Sequence, residues 1–165
     1  MSFNLEFNLE ELVRFLLRGR NAGYAGHAEK VKTTQRPGFK EFPPYREGSF
    51  EYLDSYAGNY YAPGQEIIRY NDKPVWNMAY NGGMLPNYHG DRELSQKTFR
   101  FLSKALQRVK AARPFRGPDR FVEMNFEYIN ESQGDVTNFK GTERIMYKGK
   151  EVFHQDYIGG LIIHK

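Results

Sequence analysis

Cysteine is absent from the 165 residues, which excludes disulfides, thiolate metal sites and a cysteine nucleophile. The four histidines, His27, His89, His154 and His164, fall at no HxH or HxxxH spacing. A metal would therefore need carboxylates gathered from distant parts of the chain, so neither a metal nor another cofactor is expected. No serine sits in a GxSxG context, and GHAEKVKTT lacks the GxxxxGK[ST] spacing of a phosphate loop. No apolar run approaches the ~18 residues of a membrane-spanning helix. The opening MSFNLEFNLEELV has no basic stretch followed by an apolar one, unlike a secretory signal. A cytoplasmic protein that does not enter a membrane is the expectation.

Aromatic residues are abundant instead: 13 Phe and 12 Tyr against a single Trp, Trp76. Phe fills cores, whereas so many Tyr hydroxyls need polar partners, as on a wide sheet face or in a lined pocket. The hydrophobic fraction of 39% and charged fraction of 27% fit a folded domain. The net charge of +4 favours anionic partners only weakly.

The main organising feature is a repeat. GQEIIRYNDKPVWNMAYNGGM, starting at Gly64, aligns without gaps with GTERIMYKGKEVFHQDYIGGL, starting at Gly141. Nine of the 21 positions are identical, among them Glu66/Glu143, Ile68/Ile145, Tyr70/Tyr147, Val75/Val152, Tyr80/Tyr157 and the two Gly-Gly pairs. With one residue of slippage the match extends upstream: Glu47, Phe50, Glu51, Tyr52 and Asp54 align with Glu123, Phe126, Glu127, Tyr128 and Asn130. Each copy follows a helical pattern. In the first, Asn8 caps, Glu11 completes a capping box, Phe7 staples onto Leu12, and Gly19 ends the helix. The second helix runs from about Arg92 to Ala112 with Asp91 as its cap.

Each helix precedes three strand-like segments, the second copy starting with RFVEMNFEYIN read as one strand. The last two segments form a hairpin through Asn71-Asp72 or Lys148-Gly149. The expectation is an α+β domain of two helices and about six mostly antiparallel strands. It is a single domain, 1–165, made of two repeats at roughly 8–84 and 91–162 about a pseudo-twofold axis. Strict alternation through the hairpins puts Glu66 opposite Asn77, Ile68 opposite Val75 and Glu143 opposite His154, with Trp76, Met78 and Tyr80 on the other face.

Shared residues read as scaffold, so the differences between copies are where function is sought. Only the first copy has a long loop between helix and strand, GRNAGYAGHAEKVKTTQRPGFKEFPP, with Tyr24 and Arg36. Only the first has Asp54 and Tyr56 at a strand end and a tryptophan where its twin has Phe153. The ligand-binding candidates are Tyr24, Arg36, Asp54, Tyr56 and Trp76. The repeated carboxylates Glu47, Glu66, Glu123 and Glu143 read as exposed or salt-bridged, with a general base as the alternative. Lys97, Arg100, Lys104 and Arg108 form a basic stripe on the second helix. That stripe is a solvated face or a contact for phosphates, without sequence-specific reading of nucleic acid.

GYAG in the long loop, RPG, YREGSFEYLDSYAG, the spacing from GQE to PVWNMAYNGG, RGP at 116–118 and the closing GTERIMYKGKEVFHQDYIGGLI resemble a known family. It is an uncharacterised bacterial domain family, a domain of unknown function, and the resemblance covers nearly the whole chain. Members occur alone or behind an XRE-type helix-turn-helix. The chain opens without such a segment, so operator binding is not implied. The resemblance implies an effector-sensing or interaction module and supplies no catalytic residue.

Three functions stay open: a non-catalytic module for a small-molecule effector, an enzyme using a strand carboxylate as general base in an aromatic pocket, and an interaction module using the basic helix. A homodimer is compatible with each.

Overall fold

The computed structural model describes residues 5–164. Two helices and a large antiparallel sheet make an α+β architecture. The elements are α1 (Leu9–Ala22), β1 (Lys40–Glu41), β2 (Tyr45–Glu47), β3 (Phe50–Tyr56), β4 (Gly64–Tyr70), β5 (Lys73–Met84), α2 (Arg92–Leu106), β6 (Arg120–Glu123), β7 (Phe126–Asp135), β8 (Asn138–Tyr147) and β9 (Lys150–Leu161). The sheet runs β1-β3-β4-β5-β9-β8-β7-β6, with β2 also on β3. Its nine strands exceed the expected six. The additions are short: two lie in and after the long loop, and RFVEMNFEYIN breaks into β6 and β7 around Met124. Met124 has φ of 54° and is 92% exposed, so the chain turns where alternation predicted continuity.

Local chemistry sets the helix starts. Asn8 Oδ1 accepts from the amides of Glu10 and Glu11 at 2.7 and 3.4 Å, and Asp91 Oδ1 accepts from Leu94 at 2.9 Å. These bonds satisfy amides that have no partner inside the helix. Phe7 packs edge-on to Phe50, with ring centroids 5.8 Å apart, and beside Tyr70. The helix ends differ from expectation. Gly19 lies inside α1, where a Cβ would stand 2.6 Å from Tyr52 Cγ. Its role is to let the helix approach β3. α2 stops at Leu106, its last turn closed by the amides of Gln107 and Arg108 on Ser103 and Ala105.

Both hairpins turn through two residues with positive φ, Asn71-Asp72 and Lys148-Gly149, the twist that suits a tight antiparallel turn. The expected register fails beyond them. Each hairpin carries a bulge, one between Ile68 and Arg69 and one between Ile145 and Met146. Glu66 therefore faces Met78, Ile68 faces Trp76, and Glu143 faces Gln155. Val75 and Val152 are the extra residues. One inserted residue flips every later side chain, so Trp76, Met78 and Tyr80 join the face of Glu66 and Ile68. His154 faces Arg144 across the strands and lies 3.0 Å from Glu151, not against Glu143.

β5 and β9 pair at the centre, with Tyr80 opposite Tyr157, Met78 opposite Gly159 and Gly82 opposite Gln155. The core has two clusters. Leu12, Phe15 and Leu16 of α1 cover Phe50, Ile68, Trp76 and Met78. Phe101, Leu102 and Leu106 of α2 cover Tyr128, Ile145, Val152 and Phe153. No helix among the described residues is long and apolar enough to cross a membrane.

Candidate functional site

Between the two apolar clusters lies a polar seam. Arg20, Arg116, Glu66 and Glu143 are all buried there, at 3%, 4%, 2% and 0% exposure. Arg20 continues the Leu12/Leu16 stripe of α1, which points its guanidinium at the sheet. Its Nε donates to Glu66 Oε2 at 2.8 Å and its Nη1 to the carbonyl of Pro114 at 2.6 Å. Arg116 donates from Nε to Glu143 at 3.0 Å and from Nη1 to Glu66 at 3.3 Å. Glu143 also accepts from Tyr128 and Gln155, each at 2.6 Å. Two guanidinium and two carboxylate groups thus neutralise one another. Removing charges from water is tolerable only with such dense pairing. Burial pushes the Arg116 pKa down, and the charges of Glu143 and Glu66 outweigh it, so the guanidinium is held charged.

Beside this seam a cavity of about 570 Å³ opens between α1, α2, the sheet face and the segment after α1. That volume suits a small molecule. Its floor carries Glu66, Arg20, Arg116, Tyr80 and Asp54, and its walls include Tyr24, Tyr56, Tyr60 and Phe99. The long loop thus builds part of a cavity wall. Asp54 lies within β3, opposite Glu66, and is 6% exposed. Tyr80 donates to its Oδ1 at 3.2 Å, and no other hydrogen bond to the carboxyl exists among the described residues. Burial first, then the nearby charge of Glu66, raises the Asp54 pKa to about 7, against the partial offset of Arg116. Burial followed by Asp54 holds the Tyr80 hydroxyl well above its ordinary value.

Of the residues singled out by sequence, Tyr24, Asp54 and Tyr56 line the cavity together. Tyr24 donates to the Phe99 carbonyl at 3.0 Å and meets Tyr56 edge-on. Arg36 lies outside the lining: it is bonded to Ser55 Oγ, lies 3.7 Å from Glu41 and covers Phe39. Trp76 is fully buried in the core, stacked on Phe139, with its indole N–H on the Val136 carbonyl at 3.0 Å. It does not line the cavity. The repeated carboxylates divide. Glu47 pairs with Arg18 and Glu123 with Lys104 on the outside, whereas Glu66 and Glu143 are buried.

Arg20 and Arg116 were not anticipated. The signal for Arg20 was its place four residues after Leu16 on the apolar stripe; Arg116 offered none. The basic stripe is partly neutralised, Lys97 pairing with Glu93 and Lys104 with Glu123, while Arg108 falls past the end of α2 and lies over Phe121. Arg100 instead borders the cavity. No group of three or more metal-ligating side chains occurs among the described residues.

Residues 54–162 match the model of DUF5680, a domain of unknown function. The match takes in Asp54, Glu66, Tyr80, Arg116 and Glu143, and leaves Arg20, Tyr24, Lys30 and Lys40 outside it. No curated protein and no solved structure matches the chain.

Proposed function

We propose that this chain, which belongs to the DUF5680 family, is a non-catalytic domain that binds a small-molecule effector in the cavity beside Asp54. The observation that carries the reading is the combination in one 570 Å³ space of aromatic walls and a buried floor with one under-satisfied carboxyl group. Apolar walls with a few fixed polar groups are how proteins hold and orient small ligands. A thermal-shift screen of metabolites, followed by calorimetry, tests it. A ligand at about 100 times its Kd adds about 2.7 kcal/mol to stability, an easily read rise in midpoint. Tyr56→Ala is expected to weaken binding at least tenfold without unfolding the chain. Failure of every compound, or undiminished binding by Tyr56→Ala, overturns the reading.

The cavity belongs to a single domain of two copies, roughly 8–84 and 91–162. The register between β5 and β9 supports duplication. The repeat spacing is 141 − 64 = 77 residues, and Tyr80 pairs with its own counterpart 77 residues on, Tyr157, at the middle of the nine-pair ladder. A pseudo-twofold axis has this property. A cytoplasmic location completes the reading and rests on composition.

One observation favours an enzymatic alternative: a carboxyl group with a pKa of about 7 in a cavity has the proton affinity of a general acid or base at neutral pH. Incubating any identified ligand with the protein and looking for product by mass spectrometry separates the two. Turnover that Asp54→Asn lowers by about 10² or more supports catalysis; unchanged ligand supports the binding module.

A further inference from the structure

The cavity is charged unevenly from floor to rim. Among the described residues, its only acidic lining residues are Asp54 and Glu66, both buried on the floor. The rim carries Lys30, Lys40, Arg92 and Arg100, of which all but Lys40 are exposed. None of the four makes an ion pair with a carboxylate among the described residues. The floor cations Arg20 and Arg116 are instead fully engaged.

Two of the rim cations are held close together. Lys30 Nζ and Lys40 Nζ lie 5.4 and 5.2 Å from the centroid of the Tyr56 ring. Lys40 is fixed there by the Gly58 carbonyl at 2.6 Å and Asn59 Oδ1 at 2.5 Å, both neutral acceptors. Burial, then the charge of Lys30, lowers the Lys40 pKa. Like charges gathered on one aromatic ring with no counter-charge are relieved by an anion. Arg100 and Arg92 line the same cavity from α2.

At the floor the demand is opposite. The Asp54 carboxyl takes one bond, from Tyr80, and is flanked by the paired Glu66. An N–H or O–H group reaching it gains a charge-assisted bond in a water-poor site. Between floor and rim the walls offer the faces and edges of Tyr24, Tyr56 and Phe99, which favour a flat ring.

Resting on the reading of this cavity as a binding site, we infer that its ligand is an aromatic anion: a flat ring with a carboxylate or phosphate at the rim cations and an N–H or O–H donor turned toward Asp54. The anionic end meets Lys30, Lys40 and Arg100. The ring lies against Tyr56.

The test is a titration panel in which each ring is offered with three charges. Hydroxylated and amino-substituted aromatic carboxylates are compared with their amides and with the corresponding amines. Nucleoside 5′-monophosphates are compared with the free nucleosides. Anions are expected to bind at least about tenfold more tightly than their neutral counterparts, the size of one charge-assisted hydrogen bond. That advantage should shrink as salt is raised. The carboxylate and phosphate arms then identify which acid is used. K30Q/K40Q and R100Q change rim residues, exposed at Lys30 and Arg100 and half-buried at Lys40, and their folding is checked by circular dichroism. Each is expected to lower the anion-to-neutral affinity ratio about tenfold while leaving the neutral compound within about twofold. Equal or tighter binding of the neutral or cationic members, or a ratio that neither variant alters, overturns the inference while leaving the binding site intact. Binding by no member of this panel or of the metabolite screen removes the site itself, and the inference with it.

Discussion

Asn130 and Asp54 occupy matching places in the two halves of the sheet, and their surroundings diverge. Asn130 donates from Nδ2 to the carbonyls of Phe115 and Gly117, each at 2.9 Å, and accepts from Tyr157 at 2.7 Å. Asp54 accepts from Tyr80 at 3.2 Å and meets no such carbonyls. The segment after α2 is short and turns inward, with Arg116 at φ of 61°; it brings its own backbone to Asn130. The segment after α1 is long and arches outward through β1, leaving the space before Asp54 open. An amide suits a filled site, because it can donate to carbonyls and carries no charge. A carboxyl group suits an open one, where a ligand or water brings the donor. One nearly isosteric difference, coupled to loop length, separates a filled site from an open one.

The comparison can be broken most severely at the seam. Arg116→Ala strands Glu143 and half of Glu66 in a buried place, and a loss of about 3–5 kcal/mol is expected, measured by denaturant unfolding. A change below 1 kcal/mol contradicts the account of these buried charges as held by one another.

Exchanging the two matched residues comes next. Asn130→Asp deprives the Phe115 and Gly117 carbonyls of their donors and sets a carboxylate against them. A destabilisation of about 2–4 kcal/mol at pH 8 follows, smaller at pH 4, where the acid is protonated. Steric equivalence is tested by Gly64→Ala and Gly141→Ala. A Cβ at either position meets a tyrosine hydroxyl at 2.3 Å, from Tyr80 or Tyr157. Similar losses of about 1–3 kcal/mol are expected in both; a large inequality breaks the parallel.

The smallest effect has the opposite sign. Folding raises the Asp54 pKa to about 7, from about 3.9 in an unfolded chain. The folded state therefore binds more protons between these values. Its cost is absent below pH 4, grows as pH rises, and is complete above 7. Asp54→Asn should stabilise the protein by about 1–2 kcal/mol at pH 8 and have little effect at pH 4. Thermal midpoints at the two pH values decide this; a variant destabilised at pH 8 would falsify the account of Asp54 as a strained, open-site carboxyl.

How much of this was legible follows the range of the interactions. The caps at Asn8 and Asp91 and the turns at Asn71-Asp72 and Lys148-Gly149 depend on neighbours within a few residues, and the sequence displays them. The bulges were missed because alternation was carried straight through the hairpins. Val75-Trp76 and Val152-Phe153, two adjacent apolar residues in otherwise alternating strands, were the available sign. Treating shared residues as scaffold suits Ile68, and it suits Glu66 as a salt-bridged carboxylate whose pairing lies inside the protein. The repeated glutamate lies on the same face as the repeated isoleucine, which was read correctly; that this face is buried, and opens on a cavity, was not. Tyr24, Asp54 and Tyr56, singled out because only the first copy has them, line the cavity, whereas Trp76, singled out on the same ground, fills the core.

By itself the sequence determined the class of the fold, the helix starts, the hairpin turns and the places where the halves differ, since propensity, capping and turn sterics act locally. Only the tertiary structure decided the seam and the cavity. Arg20 and Glu66 are 46 residues apart, and Arg116 and Glu66 are 50. Their pairing depends on a glycine that lets α1 reach the sheet and on a segment after α2 that turns inward, while the bulge that rotates β5 sets Met78 and Tyr80 beside them. Each adds a small geometric offset, and where charged groups meet in a buried space depends on their sum.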